Sequence, residues 1–352
     1  MNELYDFSSK PTSLWLTVNR NCNFRCKWCY AECSGFKPED DMSLLLAKKI
    51  ANLAHNAGIK HITVIGGEPT LWEPLFELNS YCKTLPIKIG MVTNACMFGD
   101  DSYWQKFLDS PFESMGISIK GITEQQFENT VGTKALYQKT LIGLGRLLSY
   151  YPDRGVSVVY SNLVSPQEIE EIATTAHRMG AKSFQLSSCS VTLDNKDGFN
   201  DIYRTQIEQF VYGVMEIYPK LTEIYDGHVL IEPRLPLCVF PIDFLKTLIS
   251  NKQLLNLCHV QNRSGLIFDT DGSLLPCNSM IGIKIGEYGK DFTTSEELLT
   301  FLNNTELRNN YKEMLRYPSE ECIHCELNNL CRGGCIQNWL TLNPNICHAI
   351  SS

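Results

Sequence analysis

Long apolar runs are missing from this 352-residue chain. None approaches the roughly 18 residues that a helix needs to cross a bilayer, so no membrane partner is expected. Positive charge is also scarce: 31 Lys and Arg stand against 39 Asp and Glu, a formal charge of −8. A nucleic-acid binder needs a basic stripe or patch, and none is seen, so no nucleic-acid partner is expected. The opening MNELYDFSSKPTS has no basic stretch leading into an apolar one, which points to a cytoplasmic location. Internal repeats and low-complexity tracts are absent too. What remains, 43% hydrophobic and 20% charged, is ordinary globular usage. Cysteine is the exception. Its 15 copies suggest metal or redox chemistry more than disulfides in a long chain without a secretory start.

Apolar and β-branched runs at 13–18, 61–67, 88–94, 114–120, 156–162 and 183–188 read as strands. Helical spacing is evident at 43–58, Trp104 to Leu108, Tyr137 to Leu148 and Ile169 to Met179, and again at 203–218. Six strands alternating with helices predict an α/β fold, a partial (β/α)6 TIM-like barrel. In such sheets chemistry collects at the C-terminal strand ends. The ends here carry a cysteine loop, GGEPT (66–70), TNA (93–95), SIKG (118–121), YSN (160–162) and SSCS (187–190). IEPRLPLCVFP (231–241) reads as a Pro-broken connector, and from Cys258 the chain turns rich in Cys, Gly and turns. The expected division is therefore a barrel over 1–225, a connector over 226–257 and a Cys-rich domain over 258–352.

The cysteines fall into two groups, which implies two metal regions. Cys22, Cys26, Cys29 and Cys33 crowd one end; Cys258, Cys277, Cys322, Cys325, Cys331, Cys335 and Cys347 crowd the other. In CNFRCKWC the spacing C-x3-C-x2-C offers three thiolates from one loop. A four-iron cubane held by three cysteines keeps one iron open to another molecule. Zinc is the alternative, although it favours four closed ligands and C-x2-C pairs.

The loop Cys22, Cys26, Trp28, Cys29, Tyr30 at the end of the first strand resembles the radical S-adenosylmethionine (SAM) superfamily. The resemblance implies a [4Fe–4S] cluster on Cys22, Cys26 and Cys29 whose open iron binds the amino and carboxylate groups of SAM. One electron then splits SAM to methionine and a 5′-deoxyadenosyl radical that takes hydrogen from a substrate. Gly66, Gly67, Glu68 and Pro69 resemble the family's GGEP motif, which meets the SAM ammonium. Physically, the glycines allow close backbone approach and Glu68 offers charge-assisted acceptance. Thr93 and Asn94, Ser118 and Lys120, and Ser161 and Asn162 are expected among the residues that bind SAM, or else as helix caps. Trp28 and Tyr30 are counted with them.

The downstream pattern C-x13-G-x4-C, gap, C-x2-C-x5-C-x3-C, gap, C resembles the SPASM extension of radical SAM enzymes. It implies two auxiliary [4Fe–4S] clusters, the first on Cys258, Cys277 and Cys335, the second on Cys322, Cys325, Cys331 and Cys347. The first then lacks a fourth protein ligand. Cys238 is the candidate to supply it, against a buried structural thiol. Cys82 reads as packing. Cys96 and Cys189 follow strand ends and are candidate catalytic thiols, as hydrogen-atom donors or transient substrate ligands. Glu32, Asp269 and Asp271 are weak acid–base candidates, and His259 and His324 candidates for tuning a cluster.

Relatives of this two-part kind mostly act on peptides or proteins. The expected function is therefore hydrogen abstraction from a peptide or small protein, giving a crosslink, thioether, epimer or oxidised residue. The 21 residues before Cys22 leave no room for a leader-binding domain, so either a separate leader-peptide-binding protein or direct docking of the peptide to the barrel is expected. A flavodoxin or ferredoxin reductant is implied. The alternatives are a radical SAM dehydrogenase of a small molecule, and an iron–sulfur electron-transfer or scaffold protein.

Overall fold

The computed structural model describes residues 11–193, 199–255, 258, 260, 265–314 and 319–348. Strand and helix alternate from the start: β1 (Ser13–Thr17), α1 (Leu44–Asn56), β2 (His61–Ile65), α2 (Leu75–Thr84), β3 (Lys88–Thr93), α3 (Asp101–Asp109) and β4 (Ser114–Ser118). Two helices follow, α4 (Glu124–Val131) and α5 (Tyr137–Tyr150), then β5 (Gly155–Tyr160), α6 (Pro166–Arg178) and β6 (Ser183–Ser188). A small hairpin, β7 (Thr192–Leu193) with β8 (Phe199–Asn200), precedes α7 (Ile207–Ile224), β9 (Val229–Glu232) and α8 (Ile242–Ser250). The remainder contributes β10 (Gly265–Phe268), β11 (Ser273–Leu275), β12 (Gly286–Glu287), α9 (Ser295–Leu302), α10 (Thr305–Met314) and α11 (Asn328–Cys331).

Ten strands form one sheet in the order β12-β11-β10-β1-β2-β3-β4-β5-β6-β9. β1 to β6 are parallel neighbours in chain order, as the strand and helix alternation predicts. Parallel strands are joined through crossovers and covered by helices, so their apolar side chains go inside. Leu14, Leu16, Ile62, Val64, Ile89, Met91, Ile117, Val156, Val158, Phe184 and Leu186 are all buried in one core. Each large apolar side chain fully buried contributes roughly 1.5–3 kcal/mol, and helix residues such as Ile50, Leu78, Phe107 and Leu147 share the same core.

Local caps set the helix starts. Ser165 with Glu168, Thr123 with Gln126 and Thr294 with Glu297 each form a capping box, so side chains answer backbone N–H groups that the first helical turn leaves open.

The structure departs from the sequence reading in two places. The segment 226–257 is more than a connector: β9 pairs in parallel with β6, and α8 follows it. VLIE is only four residues long and closed by Pro233, too short for its alternation to stand out. β10 likewise joins β1 in parallel, so the sheet runs on into the Cys-rich region. The helix read as 203–218 spans Ile207–Ile224 and continues through Pro219. Proline normally ends or kinks a helix. Here buried Phe210, Val214, Ile217 and Leu221 hold both halves against the core.

The consequence for function is one shared edge. Because β1 to β6, β9 and β10 run in parallel, residues 18–22, 66–70, 94–96, 119–120, 161–162, 189, 233–234 and 269 all emerge at the same end of the sheet.

Candidate active site and cysteine centres

The turn after β2 is locked onto the chain after β1. The backbone N–H of Gly67 donates to Asn19 O at 2.9 Å and that of Glu68 to Asn21 O at 2.8 Å. The Asn19 side chain donates to Glu68 O at 2.8 Å. A Cβ on Gly66 would lie 2.0 Å from Asn19 Oδ1, and one on Gly67 would lie 2.3 Å from Asn21 O and 2.4 Å from Arg20 O. The close backbone approach expected of these glycines is thus made by residues 19–21, directly ahead of Cys22.

Glu68 is buried and collects donors from two strand ends. Oε1 accepts from Thr93 Oγ1 at 2.6 Å and Thr70 Oγ1 at 2.7 Å, and Oε2 accepts from Asn94 N at 2.8 Å. Burial pushes its pKa up, while these donors pull it down. Among the described residues no basic side chain lies within ion-pair distance of it. A buried carboxylate that is oriented by hydrogen bonds but lacks a cation suits a ligand ammonium. This donor set therefore fits the SAM amino group.

The cysteine loop is fastened on both sides. Asn94 Nδ2 donates to Asn23 Oδ1 at 2.8 Å, Lys27 N donates to Thr130 O at 3.1 Å, and Phe24 packs edge-on against Phe127 at 5.2 Å. Cys29 N donates to Cys26 O at 3.0 Å, closing a turn in the loop that carries the three half-buried thiols. Burial pushes the Cys22 thiol pKa up, Glu68 adds to this, and the neighbouring Cys26 and Cys29 raise it further. Cys29 is pushed up to about 12, first by burial and then by Cys26. Thiols this close oppose each other's ionisation until a cation balances them, as iron does. Lys120 bonds Ser118 Oγ at 2.8 Å, stands 5.8 Å from the Trp28 ring and favours the Cys26 thiolate.

Two further cysteine groups stand apart from this loop. Cys258 and Cys277 pack on the small apolar cluster of Val260 and Leu307. Cys335 interacts electrostatically with Cys277, and its N–H donates to Arg234 O at 2.9 Å. The second group, Cys322, Cys325, Cys331 and Cys347, lines a single cavity with Pro236, Leu237 and Cys238. Among the described residues no three His, Cys, Asp or Glu side chains converge as a single metal ion requires. A cubane instead spreads its thiolates around a four-iron body.

The family model described as the radical SAM superfamily matches residues 16–161, the stretch that holds this loop, the GGEP turn and β1 to β5. The chain carries a radical SAM domain. Curated relatives include a probable GTP 3′,8-cyclase of Thermococcus kodakarensis, 21% identical over 50% of this chain and 57% of that protein. Fe-coproporphyrin III synthase of Methanosarcina barkeri is 26% identical over 49% of this chain and 42% of its own length. The chain thus spans about half the length of the curated relatives it matches. Among solved structures, Streptococcus suis SuiB bound to precursor peptide SuiA superposes with a TM-score of 0.71 at 16% identity, covering 96% of this chain and 74% of SuiB. The anSMEcpe structure with AdoMet and the Kp18Cys peptide gives 0.67 at 19% identity, covering 92% and 89%. The radical SAM family implies SAM and a [4Fe–4S] cluster, and Cys22, Cys26, Cys29 and Glu68 lie within the matched stretch.

Several expected residues lie elsewhere in the radical SAM domain than the sequence suggested. Asn162 is exposed and donates to Ile202 O at 2.6 Å, so it tethers the chain after β8. Asn94 has its side chain committed to Asn23 and Cys96 N. Tyr30 turns toward the Cys-rich region, where it bonds Asn278 beside Cys277; burial pushes its hydroxyl up to about 12. Cys96 is 1% exposed in an apolar cluster with Phe24, Phe127 and Tyr137, beneath the cysteine loop and not at its mouth. Cys189 is buried, and its pKa is pushed up to about 12 by burial, with Arg234 and Arg204 opposing the shift. Cys82 is fully buried core, as expected. Cys238 is the main correction: it lines the cavity of the second cysteine group, not the first, because the turn Leu237–Val239 hangs from Cys331 through Leu237 N to Sγ at 3.2 Å. Glu32 and His324 are exposed. His259 lies outside the described residues.

Three other groups are set by contacts between distant segments, and two of them include Asp269 and Asp271, read from the sequence as acid–base candidates. Glu232 at the end of β9 accepts from Ser187 Oγ at 2.6 Å and pairs with Arg234 at 3.0 Å. Arg234, held at φ 54°, also faces Cys277 and Cys335. Asp269 and Asp271 are ion-pair partners, of Arg20 and Lys284 respectively. The Arg20 and Asp269 pair is buried, at 4% and 12% side-chain exposure, and joins the chain after β1 to the chain after β10. Removing one partner leaves a buried charge unanswered, which costs about 3–5 kcal/mol. Asp269→Ala is therefore expected to lower stability by about that amount in urea unfolding; a loss under about 1 kcal/mol, as for an exposed pair, would show the pair is not buried in solution.

Proposed function

We propose that this radical SAM protein takes hydrogen from a peptide or small protein, modifying it after translation, and that it carries two auxiliary [4Fe–4S] clusters in a SPASM-type region. The supporting observation is the extent of the fold likeness. It reaches 92–97% of the chain for SuiB and anSMEcpe, both of which have structures with a peptide bound. The likeness to the GTP 3′,8-cyclases covers 38–51% of the chain, so it concerns SAM cleavage more than the substrate. A nucleotide or other small-molecule substrate is the second reading, favoured only by those relatives.

Bound together, cluster and SAM supply a 5′-deoxyadenosyl radical when an electron arrives, from a flavodoxin or ferredoxin by this proposal. The chain's own part is positioning. Cys22, Cys26 and Cys29 would hold three irons, and Glu68, oriented by Thr70, Thr93 and Asn94 N, would receive the ammonium. Gly66 and Gly67 keep that carboxylate and the loop in register. Trp28, Lys120 and Ser118 form the wall beside Cys26. Cys258, Cys277 and Cys335 would hold the first auxiliary cluster, and Cys322, Cys325, Cys331 and Cys347 the second. In this arrangement the substrate lies at the strand ends between Glu68 and Arg234, where Glu232, Ser187 and Cys189 also gather. A separate leader-binding protein would bring the peptide there. The proposed division is a barrel over 1–225, extended by β9 from the segment 226–257, and a Cys-rich domain over 258–352 whose β10 joins the same sheet.

The test uses anaerobically reconstituted full-length protein with dithionite and SAM. Synthetic copies of the short peptides encoded beside its gene are added one at a time, with GTP as a parallel arm. A peptide that raises 5′-deoxyadenosine above the substrate-free rate and changes mass in proportion supports the proposal. Turnover of GTP with every peptide inert would overturn it in favour of the second reading.

A further inference from the structure

Five cysteines, not four, surround the second auxiliary site. Cys238, Cys322, Cys325, Cys331 and Cys347 line one cavity, although they come from segments more than 70 residues apart in places. A cubane has four irons and takes one protein thiolate on each, so one of the five is surplus when all corners are filled.

The geometry identifies the corner where the surplus lies. Cys238 and Cys347 both line this cavity, and Cys238 Sγ donates to Ile346 O, the carbonyl next to Cys347, at 3.8 Å. Both sit on short turns led by proline: Cys238 within Leu237–Val239 after Pro236, and Cys347 directly after Pro344–Ile346. Their backbones therefore belong to separate turns that bring both cysteines to the wall of one cavity. Leu237 N bonds Cys331 Sγ at 3.2 Å, which holds the Cys238 turn at the cavity wall beside a motif cysteine. A bystander thiol in packing would need none of this.

On the reading that this site holds a [4Fe–4S] cluster, we propose that Cys238 and Cys347 are interchangeable ligands to one of its irons, the other three being held by Cys322, Cys325 and Cys331. Exchange is balanced without any redox partner. The incoming thiol releases its proton as it binds iron, and the departing thiolate takes a proton up. The site would thus keep its cluster through the loss, alkylation or oxidation of either cysteine.

The experiment uses the full chain with Cys238→Ala, Cys347→Ala and the double variant, each reconstituted anaerobically. Iron is counted, and EPR spectra are taken reduced and after mild oxidation. Both single variants are expected to keep the wild-type iron content, about twelve per chain if three cubanes are present. Each should show a shifted spectrum for one reduced auxiliary cluster, because the ligand on that iron has become uniform. The double variant should lose up to about four irons, or on oxidation give the signal of a three-iron cluster that has shed its unsupported corner. Alkylation of the native protein followed by mass spectrometry should label Cys238 and Cys347 each in part, with Cys322, Cys325 and Cys331 protected. That measurement needs no variant to fold.

Loss of the cluster in Cys347→Ala alone, with Cys238→Ala spectrally silent, would make Cys238 a packing residue and overturn the proposal. Loss in Cys238→Ala alone would make it a fixed ligand, which overturns the exchange as well. If a Cys322→Ala and Cys325→Ala pair removes no iron, it is the underlying cluster reading that fails. That result is distinct from either of the others.

Discussion

Replacing Cys22, Cys26 and Cys29 together with alanine is expected to abolish 5′-deoxyadenosine formation and to lower iron content by about four per chain, leaving the auxiliary iron in place. The separation follows from where the thiols are. All three lie on one loop after β1, while the other two groups of cysteines lie beyond β9, held by contacts to Arg234, Cys331 and the Val260 and Leu307 cluster. The first loop meets the Cys277 group through the hydrogen bond of Tyr30 to Asn278, which uses no thiol. The loop's own fastenings, Asn23 to Asn94, Lys27 to Thr130 and Phe24 to Phe127, do not use the thiols. The variant should therefore fold, which circular dichroism checks. Iron analysis and a nucleoside assay on anaerobic preparations decide the rest. Residual nucleoside above the protein-free background would mean that SAM is cleaved elsewhere. Loss of all iron would mean that the cysteine groups are interdependent.

The central fold and the cysteine loop were legible in the sequence because both rest on local signals. HITVI and VSVVY announce strands by β-branched runs, and the spacing of Cys22, Cys26 and Cys29 is a property of one loop. What escaped depends on contacts between distant segments. β9 is four residues of unremarkable composition, made a strand by pairing with β6. Glu232, Arg234 and the Arg20 and Asp269 pair have no motif around them; they matter because parallel strands deliver their ends to one place. Cys238 shows the limit most clearly. Proximity in sequence to Cys258 suggested the first auxiliary group, whereas the Leu237 to Cys331 hydrogen bond carries it to the second. Cys96 and Cys189 do follow strand ends, as read. The sequence could not reveal that both are buried, Cys96 beneath Phe24 and Phe127 and Cys189 beside Arg234.

Gly67→Ala tests whether the GGEP turn acts through the loop it packs on. The added methyl group would meet Asn21 O at 2.3 Å and Arg20 O at 2.4 Å. These are backbone atoms, with no flexible side chain to swing away, so either the turn or residues 20–21 must shift. Cys22 is the next residue, and Glu68 follows the glycine directly. The same displacement therefore spreads Glu68 from the three thiols and breaks the Gly67 to Asn19 and Glu68 to Asn21 hydrogen bonds that set their register. Overpacking of this kind costs about 1–3 kcal/mol in stability. The effect on function is expected to be larger. A misplacement of about 1 Å in a reacting constellation is enough to lose about 100-fold in rate. SAM cleavage should fall at least that far, with a weakened SAM-induced change in the EPR signal of the first cluster, while the iron of the auxiliary sites stays. Gly66→Ala gives a comparison, since its nearest neighbour would be the Asn19 side-chain oxygen at 2.0 Å, with the backbone oxygen at 2.8 Å. A side chain is able to rotate, so the loss there should be smaller. Equal losses in the two variants would show that the turn's own conformation matters, and not its seat on residues 20–21.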